Sequence, residues 1–186
     1  MRIIAGSARG RRFDAPKGMD TRPTLDRVKE AVFGMIHFQL PGSAVLDLFS
    51  GSGNLGLEAA SRGAGYVVCN DRSPVCVQQI KSNVEQLGFG DVITVTQRDF
   101  LECIRVLASK GRKFDFVFLD APYADGTAAQ AAEALLNNDL LAPDGRIFIE
   151  HALELPPKLD PTLGLDTDTR RYGKCAVTIL KGTKFI

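Results

Sequence analysis

The chain predicts an α/β fold: one doubly wound domain on a mostly parallel sheet, with an N-terminal extension. Three observations carry this. From residue 44 onward, short apolar runs alternate with helical stretches, as they do in βαβ units whose helices cover both faces of a parallel sheet. A GxGxxG run, Gly51, Gly53 and Gly56, falls between the first of these strands and the first helix. The last two β-prone runs meet around Tyr172-Gly173, as an antiparallel pair does.

Taken in order, Arg2 to Ala5 is β-prone, Gly6-Ser7 and Gly10 interrupt it, and Arg11 to Phe13 resumes it. That predicts a hairpin with arginines near its tip. Pro16-Lys17-Gly18 reads as loop. Thr24 is a candidate cap ahead of Leu25, Val28, Val32, Met35 and Ile36, whose spacing is that of an amphipathic helix ended by Pro41-Gly42. Strands are then predicted over 44–49, 66–69, 92–96, 114–119 and 146–150, and helices near 54–61, 74–87, 100–109 and 127–136. The closing pair spans 165–171 and 174–180. Residues 1–40 form the extension and 41–186 the body, packed as effectively one domain.

Composition narrows the class. No uncharged apolar run approaches the roughly 20 residues of a membrane span, and the start lacks the apolar core of a secretory signal. A cytoplasmic protein without membrane contact is expected. Cys69, Cys76, Cys103 and Cys175 show no CxxC spacing, and only His37 and His151 could join them, so no metal site is expected. The first 30 residues hold eight Lys and Arg against four Asp and Glu, a net +4, which leaves the remaining 156 at −3. A basic end on a near-neutral body suits a polyanionic partner; a merely solvated terminus would look the same.

The glycine run alone is compatible with several nucleotide-like cofactors. Asp47, just ahead of it, favours S-adenosylmethionine over a dinucleotide: a carboxylate repels a pyrophosphate but suits a sulfonium and an amino group. Phe49, Gly51, Gly53, Asn54 and Gly56 belong to the same loop. Asp71 follows the second strand, where an acid binds ribose hydroxyls. Asp99, with Phe100 beside it, follows the third and is placed to accept from an adenine amine. Both aspartates could instead be helix N-caps.

The fourth strand ends in Asp120-Ala121-Pro122-Tyr123. An exocyclic base amine is a poor nucleophile until it pyramidalises, and two acceptors aimed at its N–H bonds favour that geometry. The Asp120 carboxylate and the Ala121 carbonyl are the candidates. Pro122 biases Ala121 toward an extended conformation, and Tyr123 offers a ring on which an extruded base can stack.

These motifs, with Thr21-Arg22-Pro23-Thr24, closely resemble the RsmD-type family, guanine-N2 methyltransferases of bacterial small-subunit ribosomal RNA. The likeness runs nearly end to end, through RIIAGSARGRRF, TRPTLDRVKEAVFGMI, VLDLFSGSGNLGLEAASRGA, the tetrad and RRYGKCAVTIL. It implies a class I S-adenosylmethionine-dependent methyltransferase fold, Rossmann-like, with a mostly parallel seven-stranded sheet, an antiparallel C-terminal strand and an N-terminal β-hairpin and helix. It implies N2 of a guanine in 16S ribosomal RNA of the small subunit as acceptor, and a monomer is expected. It further suggests that Arg2, Arg9, Arg11, Arg12 and Arg27 grip RNA, with Arg22 and Thr24 near the active site. Two positions depart from the pattern: Ala121 stands where a proline is usual, and Cys69 where a glutamate usually precedes Asp71 by two residues. Two other readings share these motifs, a methyltransferase acting on a protein amide or small molecule, and a non-enzymatic RNA-binding module.

Overall fold

Alternation along the strands decides which face each helix covers. The computed structural model describes residues 1–16, 23–121, 126–163 and 165–181, and of residues 23–25 the backbone alone. Seven strands form one sheet: β1 (Ala44–Asp47), β2 (Tyr66–Asp71), β3 (Ile93–Gln97), β4 (Phe114–Leu119), β5 (Leu141–Ala152), β6 (Asp166–Tyr172) and β7 (Cys175–Lys181). Their order is β3-β2-β1-β4-β5-β7-β6, and β7 alone runs against its neighbours. The helices are α1 (Pro23–Met35), α2 (Asn54–Ser61), α3 (Pro74–Leu87), α4 (Phe100–Ser109) and α5 (Thr127–Asn137).

Val45, Val67, Phe116, Phe118, Phe148 and Val177 point to one side and pack with Phe33, Leu57, Ile80 and Val84 of α1, α2 and α3. Their strand neighbours Leu46, Val68, Val117, Leu119, Ile147 and Ile149 point to the other, against Ile104, Leu107, Ala131 and Leu135 of α4 and α5. Each such side chain contributes about 1.5–3 kcal/mol when fully buried. The predicted doubly wound sheet is therefore the observed one. None of the described helices is long and apolar enough to cross a membrane.

Two local expectations need correction. Helix α1 begins at Pro23, so Thr24 lies inside the first turn rather than capping it; proline suits this place because the missing N–H would be unpaired there anyway. Strand β5 begins at Leu141, well before Arg146. The turn-like Pro143-Asp144-Gly145 is absorbed as a register shift, with Leu141 opposite Phe114, Arg146 opposite Phe116, and Asp144 at φ 65. The predicted N-terminal hairpin is present: Arg2 and Arg12 form an antiparallel bridge, and the Ile3, Gly10 and Phe13 N–H groups donate to the carbonyls of Arg11, Ile3 and Met1.

The backbone donors that the hairpin does not use tie it to α2. The N–H groups of Ile4 and Ala5 donate to the two carboxylate oxygens of Glu58 at 2.9 and 3.0 Å. Ser7 and Ala8 donate to the carbonyl and hydroxyl of Ser61. Glu58, in α2, is fully buried and also pairs with Lys29 Nζ at 3.2 Å and Arg62 Nε at 2.7 Å. Lys29 in turn donates to the Arg2 carbonyl and to Asn54 Oδ1. Burial holds the Lys29 pKa below its ordinary value, and Glu58 opposes that shift. A buried charge survives only when every lone pair and proton is matched, and here the matching groups are the N-terminal segment and α1.

Removing the carboxylate would strand Lys29, Arg62 and two amides at once. We expect Glu58→Ala to lower the free energy of unfolding by about 3–5 kcal/mol and to open residues 1–16 to limited proteolysis. A loss below about 1 kcal/mol in denaturant titration would show that the cluster does not anchor the segment.

Candidate active site

The carboxyl ends of the parallel strands carry a row of acids: Asp47 on β1, Asp71 on β2, Asp120 just past β4 and Glu150 on β5. Two of them hold the glycine loop. Asp47 Oδ2 accepts from the Gly56 N–H at 3.0 Å, and Asp71 Oδ2 accepts from the Gly51 N–H at 2.9 Å. The remaining oxygen of Asp71 accepts from Ser73 N–H at 2.8 Å, one residue before α3. Gly51 and Gly53 sit at φ 54 and 83, where a side chain is strained, and Gly53 precedes α2 directly. Gly56 is needed for another reason: a Cβ there would lie 2.2 Å from Cys69 Sγ on β2.

Above this loop lies a cavity of about 590 Å³, a size suited to a drug-sized or cofactor-sized ligand. Phe49, Gly51, Asp71, Asp99, Phe100, Asp120 and Ala121 line it, so seven of the predicted positions converge on one space. Asp47, Gly53, Asn54 and Gly56 do not line it; they build the loop from beneath. Asp99 caps α4 by accepting from Leu101 N–H at 2.9 Å, and it also faces the cavity. Phe49 and Phe100 form a tilted ring pair with centroids 5.5 Å apart. Pro122, Tyr123, Arg22 and the Thr24 side chain lie outside the described residues.

Sequence reasoning missed two asparagines. Asn70, buried on β2 and lining the cavity, donates to the carbonyls of Leu48 and Arg98 and accepts from Thr96 Oγ1, so one amide ties together the ends of β1, β2 and β3. Asn83 on α3 donates to the carbonyls of Asp14 and Ser52, joining the N-terminal segment to the glycine loop. The available signal was a polar residue inside an apolar strand or on an apolar helix face.

The acids are electrically expensive to gather. Burial pushes the Asp47 carboxyl up to about 7, the Gly56 and Ser50 contacts pull it back, and Asp71 adds to the rise. Its Oδ1 is the one buried side-chain polar atom among the described residues with no hydrogen-bond partner. Asp120 is pushed up to about 8, first by desolvation, then by Glu150 and Asp47. Glu150 was not predicted. Its place follows from register: Leu119 pairs with Ile149, so the residues after each are neighbours on adjacent parallel strands. A site of this kind favours a cationic ligand and a hydrogen-bond-donating acceptor.

The basic residues divide by location. Arg2 lies 3.7 Å from Asp26 in the first turn of α1, and Arg27 is exposed on the same helix. Arg11 donates to the carbonyls of Gln86 and Leu87 at the C-terminus of α3, where a cation opposes the helix dipole. That end is about 20 Å from the cavity, the length of a 14-residue helix. Arg9 belongs to the turn packed on Ser61, at the far end of α2 from the glycine loop. Arg12 is exposed, and its carbonyl accepts from Gln86.

The clash at Gly56 has a specific remedy. Gly56→Ala is expected to cost about 1–3 kcal/mol through overpacking and to lower Tm. Adding Cys69→Ala removes the colliding sulfur, and the double variant should recover most of that Tm. A double variant no more stable than Gly56→Ala alone would disprove the contact.

Known proteins are similar along most of this chain. The Bacillus subtilis protein YlbH is 37% identical over 97% of this chain and 98% of its own length. The ribosomal RNA small subunit methyltransferase D of Haemophilus influenzae is 36% identical, covering 84% of this chain and 81% of that one. The solved structure of Escherichia coli yhhF superposes with a TM-score of 0.83 at 30% identity over 97% of both chains. The Thermus thermophilus 16S rRNA N2 methyltransferase RsmC, solved with AdoMet and guanosine, shares the fold with a TM-score of 0.73 at 21% identity, over 91% of this chain and 45% of that one. A family profile described as conserved hypothetical protein 95 matches residues 1–181. With a family match over residues 1–181 and relatives this similar over most of its length, the chain belongs to that family, the RsmD-type methyltransferases, and has the class I methyltransferase fold.

Proposed function

We propose that this protein transfers the methyl group of S-adenosylmethionine to the exocyclic N2 amine of a guanine in 16S ribosomal RNA. The observation that carries the reading is the continuity of one cavity, from the acid-clamped glycine loop and Asp71 at one end to Asp120 and Ala121 at the other. The residues present fit such a donor. Asp47 lies buried beneath the cavity with one oxygen that has no hydrogen-bond partner, so its carboxylate favours positive charge nearby and disfavours further anions. Asp71 and Asp99 put carboxylates in the cavity lining, and Phe49 with Phe100 offers an aromatic wall. Names borne by relatives support ribosomal RNA as the acceptor.

S-adenosylmethionine supplies an electrophilic methyl on a cationic sulfur. In this reading Asp120 and Ala121, both in the cavity lining, accept the two hydrogen bonds of the target amine through the carboxylate and the backbone carbonyl. Together they turn the nitrogen lone pair out of conjugation and stabilise the positive charge that grows on nitrogen. Asp120 then receives the released proton, a role that a carboxyl titrating near neutrality performs well. The carboxyl is raised, so it is protonated below about pH 8 in the free protein and ionised above it. Methyl transfer with both RNA and S-adenosylmethionine subsaturating should therefore climb with pH and level off near that value. A profile flat from pH 6 to 9 would remove Asp120 from the rate-limiting chemistry.

Asp120→Asn retains shape and loses the charge. We expect kcat to fall by about 10²–10⁴-fold, while affinity for S-adenosylmethionine stays within about threefold and Tm does not fall. The deciding assay uses methyl-labelled S-adenosylmethionine with undermethylated small ribosomal subunits, followed by nucleoside analysis. Label in N2-methylguanosine supports the reading. Label in another nucleoside, or label released by protease instead of ribonuclease, overturns the proposed acceptor.

A further inference from the structure

The closing RRYGK run has no part in the cavity or in the transfer, yet the fold brings it to the catalytic edge. Cys175, the first residue of β7, pairs with Ala152 at the end of β5 and with Tyr172 at the end of β6. The β6–β7 turn therefore overhangs the same carboxyl ends that hold Asp120 and Glu150. Two and a half sheet spacings across and three to four residues along the strands put it on the order of 16 Å from Asp120. The Leu153 N–H donates to the Lys174 carbonyl at 3.0 Å and fastens the turn to the segment leaving β5.

We propose that this turn, through Arg171 and Lys174, contacts the phosphate backbone of the RNA that presents the acceptor base. The inference rests on RNA being the substrate and adds where the strand is held. Charge supports it. Arg170 is paired with Asp168 at 3.1 Å, whereas Arg171 and Lys174 are exposed and form no ion pair among the described residues. Anchoring supports it too. Gly173 at φ 68 allows a two-residue turn, Tyr172 packs on the apolar core, and the Cys175 thiol donates to the Tyr172 carbonyl at 3.3 Å. A cation on a fixed turn loses less entropy on binding than one on a free tail. Position supports it as well: Arg9 and Arg11 lie at the ends of α2 and α3 remote from the cavity, whereas the turn stands beside it.

The test compares the wild-type chain with the double variant Arg171→Ala, Lys174→Ala on small-subunit RNA. KM for RNA should rise about tenfold, and the log–log salt slope should fall by about one to two. The kcat, Tm and affinity for S-adenosylmethionine should not change. The charge-preserving pair Arg171→Lys, Lys174→Arg should keep most of the wild-type KM, and Arg9→Ala with Arg12→Ala should move KM less than the turn variant does. If the wild-type chain methylates RNA and the turn variant matches it in KM and salt slope, this inference alone fails. If the wild-type chain methylates no RNA, the substrate reading and this inference fail together.

Discussion

Two carboxylate-to-amide bonds set the geometry on which the rest of the site depends. Asp47 with Gly56 and Asp71 with Gly51 draw the glycine loop against the ends of β1 and β2. Charge-assisted bonds to backbone N–H groups are among the stronger ones a protein makes, and the loop's positive-φ glycines let it follow them without strain. Once the loop is fixed, α2 starts at Asn54 and the cavity opens above it. Cys69 and Gly56 then touch because the helix must come close to the strand for these bonds to form.

The same acids that position the loop create an electrostatic debt. Asp47, Asp71, Asp120 and Glu150 end neighbouring strands, and desolvation and mutual repulsion raise Asp47 and Asp120 together. A cationic ligand relieves both at once, so affinity for positive charge is a consequence of how the sheet ends.

Glu58 serves the fold as Asp47 serves the site. It gathers the N-terminal segment, α1 and α2 around one buried charge. The basic count of the first 30 residues pointed to a nucleic-acid grip, but charge along a chain carries no information about direction in space. Lys29 is spent on Glu58, Arg11 on the end of α3, and Arg2 lies beside Asp26.

What the sequence determined by itself was periodic or local. Alternation of apolar residues set the strands and the face of each helix, so α2, α3 and α4 and strand β4 fall on the residues that the pattern marks. The glycine spacing and the acid at each strand end located the cavity, because residues that follow parallel strands share one edge. What only the tertiary structure decided was pairing between residues far apart in sequence. Glu58 finds amides 53 and 54 positions away, Asn83 finds Asp14 at 69, and Glu150 meets Asp120 through strand register. A hydrogen-bond partner leaves no period in a sequence, and burial converts each of these polar residues from a solvated group into one that must be matched.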